Sequence, residues 1–175
     1  VNLFVPSRVS LNGIGVRIET EYPLTDEIKL IVEKSDGILR KIGFRIPEFA
    51  KSYELTKNGK TIRCEECDGW LIAEDAFIGK DALILKLETQ PEWSVLECLG
   101  EGVTGLKCGA VAFATSSTPD EVKASIDFTK PAAEQLCKIA PLTFASRDKK
   151  VVFRPYMDFK KGEKYFIYFE RRKER

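Results

Sequence analysis

Apolar and polar residues alternate along much of this chain with a period of two. From Ile14 to Tyr22, the residues Ile14, Val16, Ile18, Thr20 and Tyr22 separate from Gly15, Arg17, Glu19 and Glu21. Successive side chains of a strand leave on opposite faces, so the run predicts a half-buried strand. Pro23 ends it, having no N–H to give a ladder. The next strand points Ile28, Leu30 and Val32 inward and Lys29 and Glu33 outward. After Ser35-Asp36-Gly37 turns the chain, Ile42, Phe44 and Ile46 line a third strand that Pro47 closes. Further strands are expected at 53–57 and 60–64, joined by an Asn58-Gly59 hairpin turn, and at 70–74 and 82–88.

The second half is less regular. Val95–Leu99 and Leu106–Ala114 are apolar runs without clean alternation, as expected of strands buried on both faces. Thr118-Pro119-Asp120-Glu121 has the make-up of a short helix start, with Thr as cap and acids near the positive helix end. Ala132–Ile139, between Pro131 and Pro141, reads as a second helical piece, and 151–153 and 165–169 return to strand. Short strands with frequent turn signals predict an all-β fold. The expected architecture is an antiparallel, jelly-roll-like β-sandwich in two packed subdomains with one or two short helices. The dense glycines at 100–105 suggest the division, giving a first sandwich over 11–99, a smaller one over 100–170 and a disordered tail at 171–175.

Composition narrows the chemistry. With 175 residues, a domain of this size buries enough surface to fold without a staple. Lys plus Arg number 28 against 27 Asp plus Glu, so no field of one sign steers the chain toward nucleic acid or a membrane surface. The chain has no His, which excludes Ser-His-Asp and Cys-His relays and imidazole metal ligands. Five cysteines, an odd and scattered set, point to a reducing cytoplasm. No apolar run reaches membrane-spanning length. Val1-Asn2-Leu3 lacks an initiator Met and opens on strand-like residues, as a fragment of a longer protein would.

Three groups invite a chemical role. Cys64-Glu65-Glu66-Cys67-Asp68 places two thiols and three acids together, yet a lone C-x-x-C falls short of the four ligands of a structural zinc site, and ordinary thiols in an acidic turn are the simpler expectation. Cys98 and Cys108 would have to complete such a site. Trp70, Trp93 and Tyr156 could offer flat faces to sugar rings, although large aromatics on β-proteins are mostly core, and Trp70 can face either way on its strand. Acidic pairs such as Glu19 and Glu21 share a strand face with Arg17, the habit of a solvated sheet surface. Glu65, Glu66 and Asp68 are the one compact acidic group from which a free-standing enzyme could be built.

An ordered series of short motifs adds a family likeness. Val1–Ser7, Glu21-Tyr22-Pro23 before Ile28–Val32, Phe44-Arg45-Ile46-Pro47, Lys57-Asn58-Gly59 and Gly69-Trp70-Leu71, with Val152-Phe153-Arg154-Pro155-Tyr156 further on, resemble the C-terminal β-sandwich region of the β-L-arabinofuranosidase family of glycoside hydrolases. The resemblance implies that residues 1–10 continue from an (α/α)6 barrel absent from this chain, and that the barrel carries the active site with its zinc-bound cysteine and glutamate acid/base. None of those catalytic motifs falls within this chain. The implied role is therefore non-catalytic, with no cofactor of its own, the barrel as partner and a homodimer as a further expectation. A carbohydrate-binding module using its exposed aromatics is the alternative.

Overall fold

The computed structural model describes residues 1–95 and 102–170. It divides into two compact units, Val1–Thr89 and Gln90–Arg175, and every strand pair is antiparallel. The all-β expectation holds, and the first unit packs two antiparallel sheets as a sandwich.

The first unit contains β1 (Ser7–Leu11), β2 (Ile14–Thr20), β3 (Glu27–Ser35), β4 (Arg40–Arg45), β5 (Ser52–Lys57), β6 (Lys60–Thr61), β7 (Glu65–Cys67), β8 (Trp70–Asp75) and β9 (Ala82–Glu88). Six of them form a sheet in the order β1-β2-β3-β9-β5-β6, and the other three form β4-β8-β7. Register puts Leu30 opposite Leu83 and Ile28 opposite Leu85, and Leu85 opposite Leu55, so one face of the larger sheet is a continuous apolar layer. Phe44, Leu71 and Ala73 of the smaller sheet bury themselves in the same cluster as that layer. Each fully buried Leu or Phe contributes roughly 1.5–3 kcal/mol of transfer free energy, and this burial is what holds the two layers face to face. The inward assignments of Ile28, Leu30, Val32 and Phe44 are met, and Leu83, Leu85 and Leu87 of β9 are buried with them.

Residues 7–11 are more than a lead-in strand. They form β1, which pairs along its whole length with β2 across an Asn12-Gly13 turn. Both turn residues have positive φ (49° and 80°), the backbone that a two-residue hairpin requires. At φ 80° any side chain on Gly13 would be strained, and a Cβ there would press on the Asp36 carboxylate, so glycine suits this position. Arg40 ties the region together, pairing with Asp36 and donating to the Asn12 carbonyl. That pairing holds the exposed Asp36 carboxyl at about 2.

One buried polar network fastens the other end of the unit. Asp81, only 4% exposed, accepts from the Ile78 backbone N–H (2.9 Å), the Asn58 amide (2.8 Å) and Lys57 (2.9 Å). Asn58 in turn accepts from the Ala82 N–H, and Lys57 also reaches Asp75 at 2.7 Å. Burial alone would raise the Asp81 carboxyl, but those three donors outweigh it and hold it below its ordinary value. Asn58 and Gly59 form the positive-φ turn between β5 and β6, so the hairpin turn itself supplies the amide that satisfies a buried acid.

The second unit contains β10 (Pro91–Val95), β11 (Val103–Cys108), β12 (Val111–Ala114), α1 (Pro119–Ser125), α2 (Ala132–Gln135), β13 (Leu136–Ala140), β14 (Thr143–Ser146), β15 (Val152–Pro155), a 3-10 turn at Tyr156–Asp158, and β16 (Tyr168–Glu170). The sheet runs β10-β11-β12-β15-β14-β13, with β16 also bonded to β11. Its core is rich in phenylalanine. Phe128 stacks on Phe169 at 5.7 Å, Phe153 meets Phe169 edge-on at 6.0 Å, and Phe113 meets Phe144 at 5.2 Å. The α1 start is as expected: Thr118 and Glu121 form a reciprocal capping box ahead of buried Val122.

Several expectations shift here. A strand at Pro91–Val95 pairs with β11 within the second unit; of the run expected at 95–99, residues 96–99 lie outside the described residues, as do 100–101 at the expected division and the tail at 171–175. The run 106–114 is two strands, because Gly109 (φ 57°) turns the chain and sets Cys108 opposite Val111. The helical reading of 132–139 holds only to Gln135, beyond which β13 pairs with β14.

Removing the acid at the centre of the polar network takes the shared acceptor from the Ile78 N–H and the Asn58 amide and leaves Lys57 with Asp75 alone. Asp81→Ala is therefore expected to cost about 3 kcal/mol, read as a lower urea midpoint of the first unit. Asp75 and Asp81 both titrate below the ordinary 3.8 when folded. Their contribution is complete above that value and fades as pH falls through the lower folded values; the wild-type midpoint should drop below about pH 4 more steeply than that of the variant.

Candidate functional site

The structure separates the residues that the sequence set side by side. Cys67 and Trp70 flank the Asp68-Gly69 turn that joins β7 to β8 and are register partners, so they share a face. Along the extended chain, residues three apart point to opposite sides. Cys64 accordingly packs against the apolar core, with its Sγ 3.7 Å from the Ile62 carbonyl, while Cys67 is exposed with its Sγ 3.6 Å from Asp68. A C-x-x-C carried on extended backbone divides its thiols. Burial pushes the Cys64 thiol up, and the Asp68 charge pushes Cys67 up. Among the described residues no group of three or more Cys, Asp or Glu is placed to hold a metal ion; Cys98 lies outside them.

The acids divide the same way. Glu65 lies opposite Ile72 and pairs with Lys41 at 3.4 Å, whereas Glu66 lies opposite Leu71 and bonds the Tyr53 hydroxyl. Two carboxylates on opposite faces of one strand cannot flank a glycosidic bond. Glu19 is paired with Arg17 and lies 3.6 Å from Lys29 on the outer face of the first sheet.

The aromatics also have structural work. Leu71 and Ala73 take the core face of β8, so Trp70 lies half-buried on the other face. Its ring covers the backbone of Gly43, where a Cβ would come within 3.3 Å of it, and the Arg45 guanidinium stands 5.9 Å from its centroid. Glycine in a strand marks such a close approach. Trp93 meets Phe128 at 5.0 Å and Phe153 at 6.3 Å and donates its indole N–H to the Lys130 carbonyl at 3.0 Å. Tyr156 is 47% exposed in the 3-10 turn. Trp70 belongs to the first unit, Trp93 and Tyr156 to the second.

Hollows on the surface were not legible in the residue order, and two of them show what such places hold. One of about 300 Å³ runs beside the end of α1 and is lined by Lys123, Ser125, Asp127, Thr129, Gln135 and Glu170. Its groups are largely engaged with one another: the Gln135 amide accepts from the Asp127 N–H and donates to the Asp127 and Lys130 carbonyls. The other, of about 440 Å³, is a shallow depression between the start of β1 and β2. Among the described residues no helix is long and apolar enough to cross a membrane.

A family model described as "Beta-L-arabinofuranosidase, GH127 middle domain" matches residues 1–89, the whole of the first unit. The chain belongs to the GH127 family. The match is to the middle domain, where the motif series had pointed to the C-terminal region. No curated protein matches in sequence. Among solved structures, a GH127 beta-L-arabinofuranosidase from Geobacillus stearothermophilus T6 aligns at TM-score 0.67 and 16% identity, covering 97% of this chain and 33% of its own. A GH127 beta-arabinofuranosidase aligns at 0.64 and 13%, covering 97% and 34%. A glycoside hydrolase aligns at 0.62 and 16%, covering 91% and 32%. At these identities the likeness is one of fold, and the chain spans about a third of the length of the structures it matches. In this GH127 chain the cysteine pair and acids lie within or beside the β7–β8 hairpin of the sandwich.

Since the Asp68 charge is what suppresses the Cys67 thiolate, Asp68→Asn should quicken its reaction with a disulfide reagent at pH 8 by severalfold. Asn tolerates the positive φ of 48° at this position, so the turn is kept. Mass spectrometry of the labelled peptide reads the rate at Cys67 separately from the other thiols.

Proposed function

We propose that this chain is the non-catalytic β-sandwich portion of a longer glycoside hydrolase of the GH127 family, whose work is to pack against a catalytic (α/α)6 barrel, hold it in place and support self-association. The observation that carries the reading is coverage: nearly all of the chain aligns, on no more than about a third of each solved glycoside hydrolase. The family model that matches residues 1–89 describes a middle domain, a part that has neighbours in the same polypeptide. The placement of the acids supports it too, since Glu65 and Glu66 face apart and are engaged with Lys41 and Tyr53. A barrel bound to this chain would be the source of any hydrolysis, with an arabinofuranoside as the substrate class that the family description suggests.

Sugar binding by the aromatics is the weaker reading. The Trp93 ring is packed on Phe128 and Phe153, and Trp70 lies over a strand glycine beneath Arg45. Neither leaves the open platform that stacking on a sugar requires.

Incubation of the chain alone with an aryl β-L-arabinofuranoside should release no aryl alcohol. Turnover abolished by Glu65→Gln or Glu66→Gln would overturn the non-catalytic reading. The emission of the two tryptophans should likewise stay flat through a titration with arabinan oligosaccharides to millimolar concentration; a saturable change lost in Trp70→Ala would reinstate the sugar-binding alternative.

A further inference from the structure

Neither tryptophan offers an open ring, but a tyrosine of the second unit does. Tyr165 is 44% exposed, and its hydroxyl meets no partner among the described residues. Its ring leans on that of Phe159, 5.1 Å away between centroids. The Arg154 guanidinium lies over the same Phe159 ring at 3.9 Å. Neither Phe159 nor Tyr165 enters the buried cluster into which the neighbouring Phe153, Phe166 and Phe169 pack. Tyr156 and Met157, in the 3-10 turn just ahead of Phe159, are exposed as well.

Polar groups hold this stack in place. Glu163 accepts from Arg154 at 2.6 Å and from the Lys160 N–H at 3.3 Å, while its own N–H donates to the Lys160 carbonyl at 3.0 Å. The Phe159 N–H is bonded to the Tyr156 carbonyl. A guanidinium stacks on a ring without losing its charge, so Arg154 can carry Phe159 and keep its carboxylate at once. Around the same turn Lys160, Lys161 and Lys164 are exposed and form no ion pair among the described residues. With Arg154 they set four cations against two acids, Asp158 and Glu163, in a chain whose net charge is only +1.

We propose that this surface binds an acidic glycan, a sugar chain carrying carboxylates, with a sugar ring on Tyr165 and the turn lysines beside the carboxylates. A tyrosine has a flat apolar face and a polar tip, which suits a sugar ring with an apolar C–H face and a hydroxylated rim. A ring already fixed against Phe159 loses little freedom on binding. The aromatic part alone would serve a neutral sugar; the local excess of unpaired lysines is what selects a charged one. The proposal goes beyond the packing role above and does not depend on it, and it uses residues of the second unit alone.

Anisotropy of a fluorescently end-labelled oligogalacturonate, titrated with the whole chain, tests it. A saturable rise is expected, weakening as salt is raised from about 0.05 to 0.5 M. Tyr165→Ala should raise the dissociation constant by about tenfold, whereas Tyr165→Phe, which keeps the ring, should retain most of the affinity. Replacing Lys160, Lys161 and Lys164 together by Gln should weaken binding and flatten its dependence on salt. A labelled neutral arabinan oligosaccharide should bind about tenfold more weakly than the acidic one. The absence of a saturable rise, or a rise indifferent to Tyr165→Ala, would overturn the site. Equal binding of labelled polyglutamate or single-stranded DNA would overturn the glycan assignment, leaving only a general attraction for polyanions. Should Tyr165→Ala lose its fold, amide hydrogen exchange of the wild type reads the same point: residues 154–166 should gain protection with oligogalacturonate, and unchanged exchange would sink the proposal.

Discussion

A six-stranded sheet with one apolar face needs a cover, and in the first unit only three strands supply it. Phe44, Leu71 and Ala73 share one buried cluster with the apolar residues of β3, β9 and β5, to which Phe4 and Phe77 add themselves. This mismatch in width orders much else in the unit. Positions near the middle of the sheet are fully buried, those of β2 partly so, and those of β1 hardly at all. The residues at the uncovered margin are still apolar, which solvent alone does not favour.

At two places turns satisfy polar groups that are brought inside. The Asn58-Gly59 turn is needed for chain reversal, yet its Asn side chain also serves Asp81 and the Ala82 N–H. Asp81 in turn holds the Ile78 N–H and shares Lys57 with Asp75. In the second unit Ser146, fully buried, donates to Asp148 and accepts from the Val151 N–H, closing the turn between β14 and β15. Both cases follow one rule, that a buried polar atom is kept only with its partners in place.

Strands with clean alternation were legible, because a half-buried strand writes its two faces into the residue order. β2, β3, β4 and β9 are of this kind, and the capping box of α1 was equally plain. What escaped were elements decided by tertiary pairing. β7 and β14 are three and four residues long, too short to show a period, and exist because β8 and β15 lie beside them. β13 read as helix since Pro131 and the alanines favour a helix start, but its pairing with β14 prevailed after one turn. The Cys64-Glu65-Glu66-Cys67 cluster looked compact in one dimension; extended backbone sends alternate side chains apart and dissolved it. The face taken by Trp70 could not be read from Trp70-Leu71-Ile72-Ala73, where every position is apolar, and was settled by which neighbours the core accepted.

The chain has two tryptophans and the fold gives one to each unit, in unlike surroundings. One indole lies beneath a guanidinium and over a bare stretch of strand; the other is wedged among phenylalanine rings with its N–H tied to a carbonyl. Nature has thereby installed a separate optical probe in each half. With a single indole retained at a time, the melting of the two halves can be followed independently, showing whether they come apart together or in sequence.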